Sequence, residues 1–160
     1  ACSMVFLGWL FGAPFTGWLS DHIKRRKPPL LIGGILSFAM ILIIILRPFD
    51  FPFPVLAALL FLFGFFSSAE ILTFAISKEM NLHKFAGTAL AFNNFLIMLG
   101  GLLFQPLVGF LLDLGWKGEV ENSIRIYSSF TYRLVFLIIP FCILLGTIMG
   151  TRLKETFENE

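Results

Sequence analysis

Long runs of apolar residues, separated by short polar segments, dominate the pattern of this chain. Four runs contain no charged residue at all: 1–20, 28–46, 85–112 and 134–151. A fifth run, from Phe51 to Ser77, contains one charge, on Glu70. A helix needs about twenty apolar residues to cross the hydrocarbon layer. The pattern therefore predicts an all-α, polytopic transmembrane bundle of five spans, at about 1–20, 28–46, 53–77, 85–113 and 132–151.

Composition supports a membrane protein, and the motifs of soluble enzymes are absent. The 160 residues are 58% hydrophobic and 14% charged, and a soluble domain of this size cannot bury that much apolar surface. The net charge of +2 gives no reason to expect a nucleic-acid partner. The sequence has no phosphate-binding loop, no paired-cysteine spacing and no HExxH motif. We therefore expect no catalytic site, no metal and no cofactor.

The basic residues are distributed unevenly between the polar segments, and this predicts an orientation. Positive loops stay in the cytoplasm. If the loop at 22–28 is cytoplasmic, eight cations lie inside and four lie outside. The inside set is Lys24, Arg25, Arg26, Lys27, Lys78, Lys84, Arg152 and Lys154, and the outside set is Arg47, Lys117, Arg125 and Arg133. The count predicts Ala1 outside and Glu160 in the cytoplasm. A start inside hydrocarbon, without methionine, suggests a fragment of a longer chain or a truncated reading frame.

The five spans differ in chemistry, which predicts what each one faces. Spans two and five are almost entirely apolar and should face lipid. Span three carries Ser67, Ser68 and Glu70, and span four carries a stripe at every fourth residue that is small or polar except for Ile97. The stripe is Asn93, Ile97, Gly101, Gln105, Gly109 and Asp113. Small and polar residues pack helices closely, so spans three and four should face protein or water.

Glu70 is the strongest candidate for a functional side chain. It precedes Lys78 by eight residues, or about 12 Å of helix. A lone carboxylate at that depth costs roughly 2.5–3.5 kcal/mol, so it should be protonated, paired or turned to a water-filled cavity. We interpret it as a proton or substrate site, with a structural carboxylate as the alternative. Asn93 and Asn94 fit substrate contact and helix–helix bonding equally well.

Two further features have mainly structural interpretations. Gln105 precedes Pro106, where its side chain can bond carbonyls that the proline leaves free. The four basic residues from Lys24 to Lys27 are best explained as a topology determinant, with a nucleic-acid or anionic-lipid patch as the alternative.

The segment Gly17-x-Leu19-Ser20-Asp21, followed by Arg25, Arg26 and Lys27, resembles the loop motif of the major facilitator superfamily. That motif runs Gly-x-Leu-x-Asp-Arg-x-Gly-Arg-Arg/Lys and lies between the second and third helix of each six-helix half. Here His22 replaces the usual arginine and Lys24 replaces the usual glycine. The resemblance implies a gating role for Gly17, Asp21, Arg25 and Arg26.

Span four is similar to the eleventh helix of such transporters. The similarity rests on the segments 87–94 and 100–113, which contain Gly101, Gln105, Pro106 and Gly109 as packing or kink residues. The chain thus resembles helices eight to twelve, a partial C-terminal half spanning 1–160. In this family the ninth and twelfth helices face lipid, the tenth lines the cavity, and the eighth and eleventh meet the other half.

Two hypotheses follow for function. The first is a secondary transporter of a small solute, present here as a C-terminal fragment, that works by alternating access. Its expected mode is proton-coupled symport, with coupling to a counter-substrate as the alternative. Its partners would be the bilayer, the missing N-terminal half and the solute, and its localisation a bacterial inner membrane. Glu70, Asn93 and Asn94 would line the cavity. The alternative is a non-transporting membrane remnant, or a small membrane partner protein from a split gene.

Overall fold

The computed structural model describes residues 2–46, 51–116, 118, 120–121 and 124–157, and nearly all of them are helical. Five helical stretches are long and apolar enough to cross a membrane: Cys2–Ile23, Lys27–Leu46, Phe53–Glu79, His83–Leu114 and Ser129–Gly150. We call these spans one to five. The all-α class and the five spans are confirmed. Ala1, Arg47, Lys117 and Glu160, on which part of the predicted orientation depends, lie outside the described residues.

Each span is built from one or more regular elements. Spans one and two are the helices α1 (Cys2–Ile23) and α2 (Lys27–Leu46). Span three is α3 (Phe53–Ser67), a 3₁₀ turn (Ser68–Ile71) and α4 (Leu72–Glu79). Span four is a 3₁₀ turn (His83–Phe85) and α5 (Ala86–Leu114), and span five is α6 (Ser129–Phe136) with α7 (Ile138–Gly150). A two-stranded antiparallel hairpin, β1 (Val120–Glu121) and β2 (Ile124–Arg125), joins spans four and five.

Local chemistry explains where several helices begin and end. Pro28 and Pro29 occupy the first turn of α2, where the missing N–H of proline costs nothing. Ser128 caps α6 by accepting a hydrogen bond from the backbone N of Thr131 at 3.1 Å. After α1, the chain reverses through Lys24, whose φ of 53° lies in the left-handed region.

Span three changes its winding near its middle. The hydroxyls of Ser67 and Ser68 donate hydrogen bonds to the carbonyls of Gly64 and Phe65, at 3.1 and 2.6 Å. Such bonds to the preceding turn compete with the helical ladder and bend helices. The 3₁₀ turn Ser68–Ile71 follows directly and separates α3 from α4.

Spans one, two and three form a closely packed unit. A Cβ atom added at Gly8 would clash with the backbone of Phe61 and Phe65, and one added at Gly64 would clash with the backbone of Val5. Helix α2 packs on span three at Gly33, beside Ala69, and on α7 at Gly34, beside Thr147. Backbone approach of this kind supplies the dispersion contacts that hold helices together in lipid.

Span four stands apart from this unit. Helix α5 contacts α4 near one end and α6 near the other. In the most apolar 18-residue window of span four, 0% of the residues are buried. The face of α5 that carries the polar stripe is therefore largely uncovered by the described chain.

Candidate functional site

The first candidate site lies where spans three and four approach each other. Glu70 is exposed on the 3₁₀ turn that interrupts span three. Thr73 begins the next helical turn and donates a hydrogen bond to the Glu70 carbonyl at 2.7 Å. The Nδ2 of Asn93, on α5, donates to the Oγ1 of Thr73 at 3.1 Å. Glu70 and Thr73 are three residues apart and therefore share one helix face, so Asn93 lies on the side of span three that carries Glu70. Asn94 is exposed without a hydrogen bond among the described residues.

A cleft of about 410 Å³ continues this surface between α4 and α5. Its polar lining comprises Ser77, Asn81, Thr88 and Asn93, and Phe85 and Phe92 supply aromatic walls. The amide of Asn81 donates to the Ser77 carbonyl at 2.8 Å. Hydroxyl, amide and aromatic groups suit a small polar solute, because they pair with its hydrogen-bonding groups and stack on its apolar faces.

The second candidate site is a charge cluster at the end of the bundle that carries Lys24–Lys27, which we call the basic end. The Nη1 of Arg26 lies 2.5 Å from the Oδ1 of Asp21, and its Nη2 lies 2.9 Å from the Oε1 of Glu79. Burial by itself would lower the pKa of Arg26, but its bonds to Glu79 and Asp21 outweigh burial and raise the pKa. Arg26 is therefore a permanent cation between two carboxylates, one from span one and one from span three.

The segment after span five folds back onto the same cluster. Glu155 accepts hydrogen bonds from the backbone N of Arg26 and of Lys27, at 2.6 and 3.3 Å, which places a carboxylate at the start of α2. Burial would raise the pKa of Glu155, but these backbone donors lower it. In return, the Nζ of Lys27 donates to the Thr151 carbonyl at 2.5 Å, at the end of α7. Each charge lies at the helix end whose dipole it complements.

Two further contacts connect this segment to span three. The Oγ1 of Thr156 donates to Glu79 Oε2 at 2.8 Å. The guanidinium of Arg26 lies over the ring of Phe157, 4.8 Å from its centroid. One arginine thus joins spans one and three to the segment after span five.

Only two of the four predicted gating residues enter this cluster. Asp21 pairs with Arg26, whereas the side chain of Arg25 is exposed and has no carboxylate within 4.0 Å among the described residues. A Cβ atom added at Gly17 would meet nothing within 4 Å. The sequence analysis missed Glu79, Glu155 and Phe157, because partners 53 or more residues from Arg26 leave no local signal.

The predicted packing residues of span four have no partner within the described chain. Cβ atoms added at Gly101 and Gly109 would meet nothing within 4 Å. Gln105 is exposed and makes no hydrogen bond among the described residues, and α5 continues through Pro106. The expected bond from the Gln105 side chain to carbonyls freed by the proline is therefore absent from the described structure.

At the opposite end of the bundle, which we call the hairpin end, the stripe residue Asp113 holds the hairpin. Its Oδ1 accepts from Arg125 Nη1 at 2.8 Å and from the Tyr127 hydroxyl at 2.5 Å. The bond to Asp113 raises the pKa of Arg125, and it raises the pKa of Tyr127 as well. Arg125 also lies over the ring of Trp116, at 4.8 Å.

Comparison with known proteins assigns the fold. The family model described as Major Facilitator Superfamily matches residues 1–158. The chain is similar to the "Partially occluded inward open conformation of the xylose transporter XylE from E. coli", with a TM-score of 0.75 and 19% identity. It is similar also to the "Inward open conformation" of the same protein, with a TM-score of 0.74 and 19% identity. The matches cover 97% of this chain and 38% and 37% of those chains. No curated protein sequence matches.

Proposed function

We propose that this chain, which belongs to the Major Facilitator Superfamily, corresponds to helices eight to twelve of a secondary transporter that moves a small solute by alternating access. The family is one of membrane transporters and not of enzymes. The chain spans about 38% of the length of the XylE structure to which it is similar. That partial coverage supports a second, N-terminal half that would complete the cavity.

The interruption of span three is the observation that carries this proposal. A stretch of 3₁₀ helix in the middle of an α-helix often marks a functional hinge or a sequence under strain. Here the 3₁₀ turn of residues 68–71 interrupts a span of 27 residues and carries Glu70 on an exposed face. The Thr73–Asn93 bond places a second helix beside it. A carboxylate, a hydroxyl and an amide on one open surface are suited to binding a polar solute or a proton.

The uncovered face of α5 supports a partner half on the same side. Gly101 and Gly109 would allow another helix to approach closely, and Gln105 would bond across that contact. This expectation agrees with the roles that the family resemblance implies for the eighth and eleventh helices.

Replacement of Glu70 by glutamine in the complete transporter tests this proposal. Xylose, the sugar after which the similar transporter is named, is the first probe, followed by a panel of other small metabolites. If Glu70 carries a coupling proton, Glu70→Gln abolishes accumulation against a gradient while counterflow exchange persists. If Glu70 binds the solute, both activities fail. Glu70→Asp, which keeps the carboxylate, is the matched control and should retain part of both.

The outcome that contradicts a functional role is equally definite. If Glu70→Gln keeps both activities and only expression falls, Glu70 is structural. If the complete polypeptide moves no solute in proteoliposomes, the non-transporting alternative replaces the proposal.

We propose further that Asp21, Arg26 and Glu79 form a lock at the basic end, with Gly17 facing the missing half. The lock would hold one conformation, so Asp21→Asn should change the turnover rate more than substrate affinity. Weaker binding with an unchanged maximal rate would count against it.

The proposed orientation has the basic end in the cytoplasm of a bacterial inner membrane. Cysteine labelling at positions 25 and 120 tests it, because these positions should react from opposite sides. Labelling of position 120 from the cytoplasm, with position 25 reached only from outside, would reverse the orientation.

A further inference from the structure

The structure divides the four basic residues of the loop after α1 into two pairs. Arg26 forms ion pairs with Asp21 and Glu79, and Lys27 donates a hydrogen bond to the Thr151 carbonyl. Lys24 and Arg25 are exposed, and neither has a carboxylate within 4.0 Å among the described residues. Within the described chain, two positive charges beside membrane-spanning helices are therefore left without an ion pair.

The backbone conformation at Lys24 is unfavourable for a lysine. Its φ of 53° belongs to the left-handed region that favours glycine, and among the described residues only Gly118 shares a positive φ with it. A lysine in this conformation is strained, and it places a positive charge at the turn. Residues in such conformations persist when the surrounding structure determines them, and they cluster at ligand-binding and switch regions.

An apolar crevice ends at the same loop. It holds about 120 Å³ between α1 and α2, with span three as its floor. Its lining includes Phe15, Leu19, Ile23, Pro28, Ile32 and Phe66. Ile23 and Pro28 flank Lys24–Lys27 in the chain, so the crevice lies directly below Lys24 and Arg25.

The crevice lies on the opposite side of α1 from the predicted contact with the other half. Phe15, Leu19 and Ile23 follow one another at intervals of four residues and share one helix face. Gly17 and Asp21 are offset from them by two residues, which is about 200° of rotation. Nearby, Trp18 is 60% exposed, and its ring lies 6.1 Å from that of Phe15. Exposed tryptophans of this kind lie at membrane interfaces.

We propose that this surface binds an anionic phospholipid, with its phosphate against Lys24 and Arg25 and the first carbons of one acyl chain in the crevice. Charge complementarity selects an anionic headgroup, because a zwitterionic one offers the two cations no net charge. The apolar lining selects a lipid over a soluble anion, which would leave the crevice empty. The anionic-lipid patch that the sequence left as an alternative thus applies to Lys24 and Arg25, and not to Arg26 and Lys27.

Quenching of Trp18 fluorescence by brominated lipids tests the proposal. The chain, with Trp9→Phe and Trp116→Phe, is reconstituted in phosphatidylcholine vesicles with increasing fractions of dibrominated phosphatidylglycerol. We expect phosphatidylglycerol to quench at a lower mole fraction than equally brominated phosphatidylcholine. Bromine at carbons 6 and 7 should quench more than bromine at carbons 11 and 12, because the crevice lies next to the headgroup.

Lys24→Gly is the decisive variant, because it relieves the strained backbone while removing the charge. We expect it to lower the preference for phosphatidylglycerol about fivefold, the equivalent of one lysine at an anionic surface. Lys78→Gln, which removes an exposed cation at the end of α4, is the matched control and should leave the preference unchanged.

Three results would overturn the proposal. Equal quenching by the two lipids would remove the selectivity for anionic headgroups. If Lys24→Gly and Lys78→Gln lower the preference for phosphatidylglycerol equally, the preference comes from general surface charge and not from a site at Lys24. The absence of quenching by either lipid would mean that protein, and not lipid, covers this surface.

Discussion

The glycines of spans one and three and those of span four differ in how they are packed. In spans one and three, Gly8, Gly12 and Gly64 lie against the backbone of the facing helix, so closely that an added methyl group has no room. In span four, Gly101 and Gly109 meet no atom of the described chain. The same residue type therefore marks a completed contact in one region and an unfilled one in the other.

The comparison teaches that small residues alone do not reveal which helix they will meet. Helices in lipid associate through close packing, since lipid tails are as apolar as leucine. Spans one to three satisfy this requirement within the chain. Span four would satisfy it only against something further, which is why we propose a partner half.

The largest expected effect separates these two regions directly. Gly64→Ala should lower the free energy of unfolding by about 1–3 kcal/mol, because the new Cβ clashes with the Val5 backbone, which cannot swing aside. Gly101→Ala should change it by no more than about 1 kcal/mol. Circular dichroism during unfolding in mixed micelles measures both.

In the complete transporter, replacement of Gly101 should have a larger effect than in this chain. There we expect Gly101→Ala to reduce transport, since the methyl group would separate α5 from the other half. A harmless Gly101→Ala in the complete protein would mean that this face meets only lipid.

A second prediction concerns the contacts at the basic end of the packed region. Glu79→Gln should destabilise the chain by about 1–2 kcal/mol, because it replaces the charged acceptor of Arg26 and Thr156 with a neutral one. The neighbouring variant Lys78→Gln should stay within about 0.5 kcal/mol. If the two variants behave alike under chemical unfolding, Arg26 does not hold spans one and three together.

A third prediction has the opposite sign. Lys24→Gly should raise the free energy of unfolding by about 1 kcal/mol, since glycine adopts the left-handed region without strain. Lys24→Ala keeps the strain and should bring no such gain. Thermal unfolding of both variants in the same detergent distinguishes the backbone effect from loss of charge.

The smallest expected effect lies at the hairpin end of span four. Asp113→Asn removes the ion pair to Arg125, but both side chains are about half exposed, at 47% and 52%. Solvent and salt screen such pairs, so we expect less destabilisation than for Glu79→Gln, and less still at high salt. A loss that is independent of salt would mean that Asp113 acts through its bond to the Tyr127 hydroxyl.

The spans were the part of the structure that sequence alone determined. Twenty apolar residues without a charge have one stable conformation in hydrocarbon, because every backbone polar group must be bonded within the segment. The same logic identified Glu70 as an outlier, and the loop motif around Asp21 indicated the family. The 3₁₀ turn at 68–71 was not foreseen, although the hydroxyls of Ser67 and Ser68 that compete with the helical ladder are visible in the sequence.

Only the tertiary structure decided which side chains act together. The four basic residues at 24–27 look equivalent in sequence, yet Arg26 and Lys27 bind protein groups while Lys24 and Arg25 have no carboxylate partner among the described residues. Glu79 and Glu155 lie far along the chain and meet Arg26 because α2 packs between spans three and five. The sequence shows where each charge lies along the chain, but helix packing determines which charge it pairs with. That packing depends on the positions at which glycines allow close contact between helices.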